Sequence, residues 1–211
     1  MKYLIIVIVV IILAAGGVAG WYYYRPQQPS PVVLPPTGQQ VYTNSSYHFS
    51  AKYNPPIIAT EDKQQMQTSG YIPGCDPDTS LVCFIYPADA FGKTNFGGAG
   101  VSVSVLANLT NETTCLATQQ NDGLLATSTV MNNLTWQTWS FSDAATSHRS
   151  NGYNYRSWQN NLCWQLQTRI NSTVFEVYAP GMIELFTATE EETVNQALQK
   201  TINSFQPPKS S

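Results

Sequence analysis

Charge is scarce in this sequence. Only 11% of the residues are Asp, Glu, Lys or Arg, against roughly 25% in ordinary soluble domains. The net charge is −3. Nothing in that balance suggests phosphate-backbone binding, so no nucleic-acid partner is expected. Histidine is almost missing too. His48 and His148 are the only two, and with no CxxC among the cysteines they cannot complete a zinc set. No metal or cofactor is expected. G-x-S-x-G, HExxH, P-loop and Rossmann glycine patterns are absent, so no familiar catalytic signature is present. Asn, Gln, Ser and Thr stand in for charge, and 12% of the residues are aromatic. With β-branched residues also plentiful, disorder is excluded for the body of the chain. The composition suits an exported β domain better than a cytosolic enzyme.

One long apolar run occurs. "YLIIVIVVIILAAGGVAGWYYY" extends from Tyr3 to Tyr24 without a charge. As a helix it reaches roughly 30 Å, the thickness of a bilayer core. A cleaved signal peptide would use a shorter apolar stretch, with Gly17-Val18-Ala19 at the cut. Trp21 to Tyr24 favour retention, because amphipathic rings settle at the headgroup level. Residues 1–25 are therefore expected to be a single-pass transmembrane anchor. Lys2 puts the N-terminus in the cytoplasm and the C-terminal domain outside. The stretch "RPQQPSPVVLPPTGQQ" holds five prolines. It cannot form a helix or a central strand, so residues 26–40 read as an extended spacer. Residues 41–206 are of a length for one domain, and 207–211 form a disordered tail.

The body alternates. In "SYHFSAKYNP" Phe49, Ala51 and Tyr53 point one way and His48, Ser50 and Lys52 the other. With "QVYTN" this predicts a hairpin turning near Asn44-Ser45, stopped at Pro55-Pro56. "LVCFIYP" and "GVSVSVLAN" read as strands, and "ETTCLATQQ" as a short helix. "TVMNNLTWQTWSF" predicts two strands about an Asn-Asn turn. "GYNYRSWQNNLCWQLQTRI" predicts a hairpin turning at Gln159–Asn161. In its second arm Leu162, Trp164, Leu166, Thr168 and Ile170 share one face; Cys163, Gln165, Gln167 and Arg169 share the other. "SDAATSHRSNG" reads as a loop and "TVFEVYAP" as one more strand. Thr189 and Glu192 are spaced as a capping box, and Lys200 suits the negative end of the helix dipole. Val194, Ala197, Leu198, Thr201, Ile202 and Phe205 form one apolar stripe, predicting an amphipathic helix over 190–205. Strands followed by a packed helix give an α+β fold with a largely antiparallel sheet.

"YTNSSYHFSAKYNP" is similar to the opening hairpin of PsbP/Mog1-like domains. "ALQKTINSF" resembles their closing helix with its Ser/Thr-Phe end, and "AGVSVSVL" sits where those domains have a central strand. The broader resemblance is to membrane-anchored extracytoplasmic domains of this layout. It implies an antiparallel sheet with flanking helices, used for binding and assembly, and implies no catalytic residues.

Cys75, Cys83, Cys115 and Cys163 suit two disulfides outside the membrane. Of three possible pairings, Cys75–Cys83 with Cys115–Cys163 is favoured. A cysteine transpeptidase or hydrolase would instead pair Cys115 with His48, or Cys163 with His148; neither has the surrounding motif. Asp76 and Asp78 in "CDPDTS" make an Asp-Pro turn rather than a calcium loop. Trp136, Trp139 and Trp158 stand beside Asn and Gln, which would suit stacking on a glycan, but core and cross-strand packing is the favoured account of such rings. Asn44, Asn108, Asn111, Asn133 and Asn171 each open an N-x-S/T sequon. The expected function is a tethered binding or assembly domain, with the membrane as one partner and a protein or glycan as the other. A glycan-binding module is the first alternative and a cysteine enzyme the second.

Overall fold

The structure, a computed structural model, describes residues 38–68, 75–117, 126–145 and 147–208. The expected anchor, the expected spacer up to residue 37 and the end of the tail lie outside these residues. Among the described residues, no helix is long and apolar enough to cross a membrane. All of them fall within one compact unit.

Alternating segments pair as read. Strands β1 (Gln40–Asn44) and β2 (Phe49–Tyr53) form an antiparallel hairpin. The Asn44 side-chain oxygen accepts the Tyr47 N–H at 2.8 Å and closes the turn. His48 belongs to that turn at φ 54°, not to the polar face of the strand. A larger sheet contains β3 (Ile58–Thr60), β4 (Ser80–Tyr86), β5 (Phe96–Val105), β6 (Thr127–Met131), β7 (Leu134–Ala145), β8 (His148–Gln159) and β9 (Leu162–Thr173). Its order is β3-β4-β5-β9-β8-β7-β6, antiparallel throughout. Two Asn-Asn pairs make its tight turns. Asn132 and Asn133 join β6 to β7 at φ 51° and 64°; Asn160 and Asn161 join β8 to β9 at 51° and 59°. Asparagine tolerates the left-handed region that such two-residue hairpins require.

Three α-helices are described: α1 (Lys63–Thr68), α2 (Glu112–Leu116) and α3 (Ala188–Ser204). Helix α3 starts earlier than the sequence suggests. Thr187, not Thr189, is the N-cap, and its partner is Glu190, not Glu192. The Glu190 carboxylate accepts the Thr187 N–H at 2.7 Å, and Thr187 Oγ1 accepts the Glu190 N–H at 3.3 Å. Both frames fit the spacing. Asn95 decides between them, because its side-chain oxygen takes the Phe186 N–H at 2.6 Å and fixes where the chain enters. Lys200 falls short of the last turn, which holds no basic residue.

Helix α3 and the β1–β2 hairpin cover one face of the large sheet. Val194, Leu198, Thr201 and Ile202 are buried there with Phe49, Val101, Trp164 and Leu166. Phe205 sits at the junction, with ring centroids 5.4 Å from Phe49, 5.6 Å from Trp164 and 5.9 Å from Trp136. The neighbouring Ser204 oxygen accepts the Lys52 N–H at 2.7 Å. Ser50 and Gln206 exchange backbone bonds of 3.0 and 2.8 Å. The Ser-Phe pair thus clasps the end of the chain to the opening hairpin. Asn132 closes the helix from the other side, donating its amide to the carbonyls of Asn203 and Phe205.

Two further expectations are corrected. "SDAATSHRSNG" is not a loop: β7 and β8 continue to the pair Ala145↔His148. Residues 142–144 are exposed, so no apolar alternation marks this strand. "TVFEVYAP" is not a strand beyond Thr173. A single 3-10 turn forms at Phe175–Val177. The neighbours of β9 end beside it, at Phe96↔Ser172 and His148↔Thr173, so the chain has no ladder left to join.

Candidate functional site

The sheet face away from α3 is covered at two places by disulfide-tethered segments. Cys75–Cys83 holds the chain near α1 against β4, where Met66, Cys75, Cys83 and Ile85 form a small cluster. Cys115–Cys163 holds α2 against β9. Their Cα atoms are 5.7 and 5.5 Å apart, ordinary for disulfides. The favoured pairing is the one present, and no free cysteine occurs. The cysteine-enzyme reading therefore loses its thiolate: Cys115 and Cys163 are bonded to each other rather than poised beside His48 or His148. Among the described residues, no group of His, Cys, Asp and Glu could hold a metal ion. Asp76 and Asp78 form the Asp-Pro turn, with Asp76 Oδ1 accepting the Asp78 N–H at 2.9 Å.

Beyond the Cys115–Cys163 staple, β7, β8 and β9 leave a groove of about 420 Å³. Register sets its rows. Gln137, Arg156 and Gln165 lie side by side; then Trp139, Asn154 and Gln167; then Phe141, Gly152 and Arg169. Gly152 is required by its neighbour. A Cβ there would lie 2.9 Å from Phe141 Cζ and 2.0 Å from the Thr168 carbonyl oxygen, so the Phe141 ring lies over the glycine. The Arg169 guanidinium stacks on that ring at 4.5 Å. Arg156 stacks on Trp139 at 5.0 Å and donates from Nε to Gln165 Oε1 at 2.9 Å.

The electrostatics of this groove are unusual for a fold with so little charge. Burial pushes the pKa of Arg156 and Arg169 below the ordinary guanidinium value, and for Arg169 the charge of Asp143 acts the other way. Both remain charged at neutral pH. The one ion pair among the described residues is Lys63–Asp78, at 3.5 Å, so neither guanidinium touches a carboxylate. Arg169 Nε is buried with no hydrogen-bond partner. Cation–π contact returns about 0.5–2 kcal/mol for each stacked cation. A desolvated donor without a partner costs about 1–3 kcal/mol.

A larger groove of about 580 Å³ lies on the other face, between α3 and β6–β8. Tyr155 donates to Gln199 Oε1 across it at 3.0 Å, and burial pushes the Tyr155 pKa up to about 12. Glu192 is its only charged lining residue. Size favours this groove; convergent unpaired charge favours the smaller one, and charge is the more specific signal.

Of the tryptophans singled out from the sequence, Trp136 is 1% exposed and belongs to the core, which removes it from the ligand-stacking set. Trp139 is half-buried in the smaller groove, and Trp158 is half-buried on the same face, opposite Cys163. Sequence reasoning missed Arg156 and Phe141 as site residues. Arg169 was placed on the polar face of its strand, but nothing marked its stacking partner. Among the sequons, Asn108, Asn111 and Asn133 are exposed, while Asn44 and Asn171 are buried. Asn111 also caps α2, accepting the Thr114 N–H at 2.9 Å.

Fold and groove together define a disulfide-stapled α+β domain with one open, cationic sheet face. No protein-family model matches the sequence, and no curated protein matches it. Among solved structures, the chain is similar to cyanobacterial PsbP (CyanoP) from Synechocystis, with a TM-score of 0.45 and 13% identity over 86% of this chain and 99% of that one. It is also similar to a protein from Bacteroides thetaiotaomicron, with a TM-score of 0.42 and 13% identity over 83% of this chain and 50% of that one.

Proposed function

We propose that this chain is a non-catalytic binding and assembly domain, tethered outside a membrane by residues 1–25 and spaced from it by 26–40. It engages its partner through the open face of β7–β9. The observation that carries this reading is the pair of half-buried arginines, Arg156 and Arg169, each stacked on a ring and neither held by a carboxylate. A partly desolvated cation with no carboxylate in contact adds little to the fold, and a binding face uses one. Two disulfides support an oxidising compartment, and the uncharged run from Tyr3 to Tyr24 supports the tether.

The test is a photo-cross-linking amino acid placed at Ser142, an exposed residue on the groove rim, in the full chain in living cells. An adduct is expected from Ser142, in the membrane fraction and degradable by protease added outside the cells. The same probe at exposed Lys200 on α3 should give none. No adduct from Ser142, or a domain shielded from external protease, would overturn the reading.

A further inference from the structure

We infer that the open face of β7–β9 binds a short acidic oligosaccharide, whose ring carboxylates are read by Arg156 and Arg169. This names the ligand class of the face proposed above and rests on that reading. The groove floor decides how a ligand can be recognised. β8 lies between β7 and β9, and β9 between β8 and β5, so their backbone groups are committed to ladders on both sides. Recognition falls to side chains: two guanidinium forks, and the planar amides of Asn154, Gln165 and Gln167. Guanidinium matches carboxylate as a two-point fork, and an amide donates and accepts at once, as paired sugar hydroxyls require. The half-buried Trp139 ring adds a flat apolar surface beside these amides.

Spacing and charge narrow the choice. Arg156 is in register with Gln165, four residues before Arg169 on β9, which is about 13 Å of strand. Their guanidiniums rest on different rings, Trp139 and Phe141, two residues apart on β7, and carboxylates on linked rings of a chain can meet both forks. Asp143 is the only acidic residue in the lining, so the groove carries net positive charge within a chain of net −3. A peptide with two acidic side chains meets the charge requirement, but ordering its flexible stems costs more entropy than ordering linked rings. The rings favour the sugar.

The full chain in detergent is titrated with tetragalacturonate, its methyl ester and tetraglutamate, following tryptophan fluorescence and calorimetric heat. Saturable binding of tetragalacturonate is expected, weaker at high salt. R156Q, R169Q and esterification should each weaken it by about tenfold or more. Arg149→Gln changes an exposed residue of β8 whose alternation puts it on the α3 side with Asn151, which bonds Glu191, and should leave binding unchanged. Equal binding of the ester overturns the acidic class, and equal binding of tetraglutamate overturns the sugar. No binding of any probe, with the Ser142 adduct still formed, overturns the ligand class and leaves the face standing. No binding and no adduct overturns both.

Discussion

Gly152 shows how one residue can set a groove. Phe141 lies where its side chain would be, and Arg169 lies on Phe141. Gly152→Ala drives a methyl group against the Thr168 carbonyl, a backbone atom that cannot turn aside. A loss of about 3 kcal/mol or more is expected, read as a lower urea midpoint. A second residue-scale prediction concerns pH. Burial raises Tyr155 to about 12, with the nearby Tyr153 adding to the shift. An unfolded tyrosine ionises near 10. Between those values the unfolded chain binds fewer protons, so stability falls as pH rises from about 10 to about 12 and is unaffected by this group below 10. The urea midpoint followed across that window should drop less steeply in Tyr155→Phe. A slope unchanged by the substitution would contradict the assignment.

At the scale of elements, the two disulfides close loops of very different length. Cys115 and Cys163 are 48 residues apart in sequence, Cys75 and Cys83 only 8. Chain entropy then assigns about 4 kcal/mol to the first and about 2.5 kcal/mol to the second. C115A/C163A should lower the urea midpoint more than C75A/C83A; the reverse order would mean that native contacts of α2 and α1, not loop closure, set the cost. Elements were legible where their signal is local. The apolar stripe of α3 and the asparagine turns of two hairpins were read directly, because 3.6-residue spacing and tolerance of positive φ are properties of a few adjacent residues. Where neighbours decide, the reading failed. Asn95, far away in sequence, chose between two equivalent capping frames. The missing ladder beyond Thr173 ended what looked like a strand.

At the scale of the whole molecule, the sheet has one face buried by α3 and the opening hairpin, and its other face is open over β7–β9. Little of that open site could be read in advance. Arg156 meets Trp139, and Arg169 meets Phe141, only after three strands are in register, and a one-residue slip would send each to the opposite face. Composition did point to a polar β-rich domain, because scarce charge and plentiful aromatic residues need no register to be counted. The claim that the arginines serve a ligand rather than the fold has a direct test, the urea unfolding of Arg169→Met in the full chain. Methionine keeps much of the packing on Phe141 while removing a partly desolvated cation whose Nε has no partner. The midpoint is expected to stay level or rise. A fall of more than about 1 kcal/mol would show that the stacked arginine holds the sheet together, and would contradict a face kept for binding.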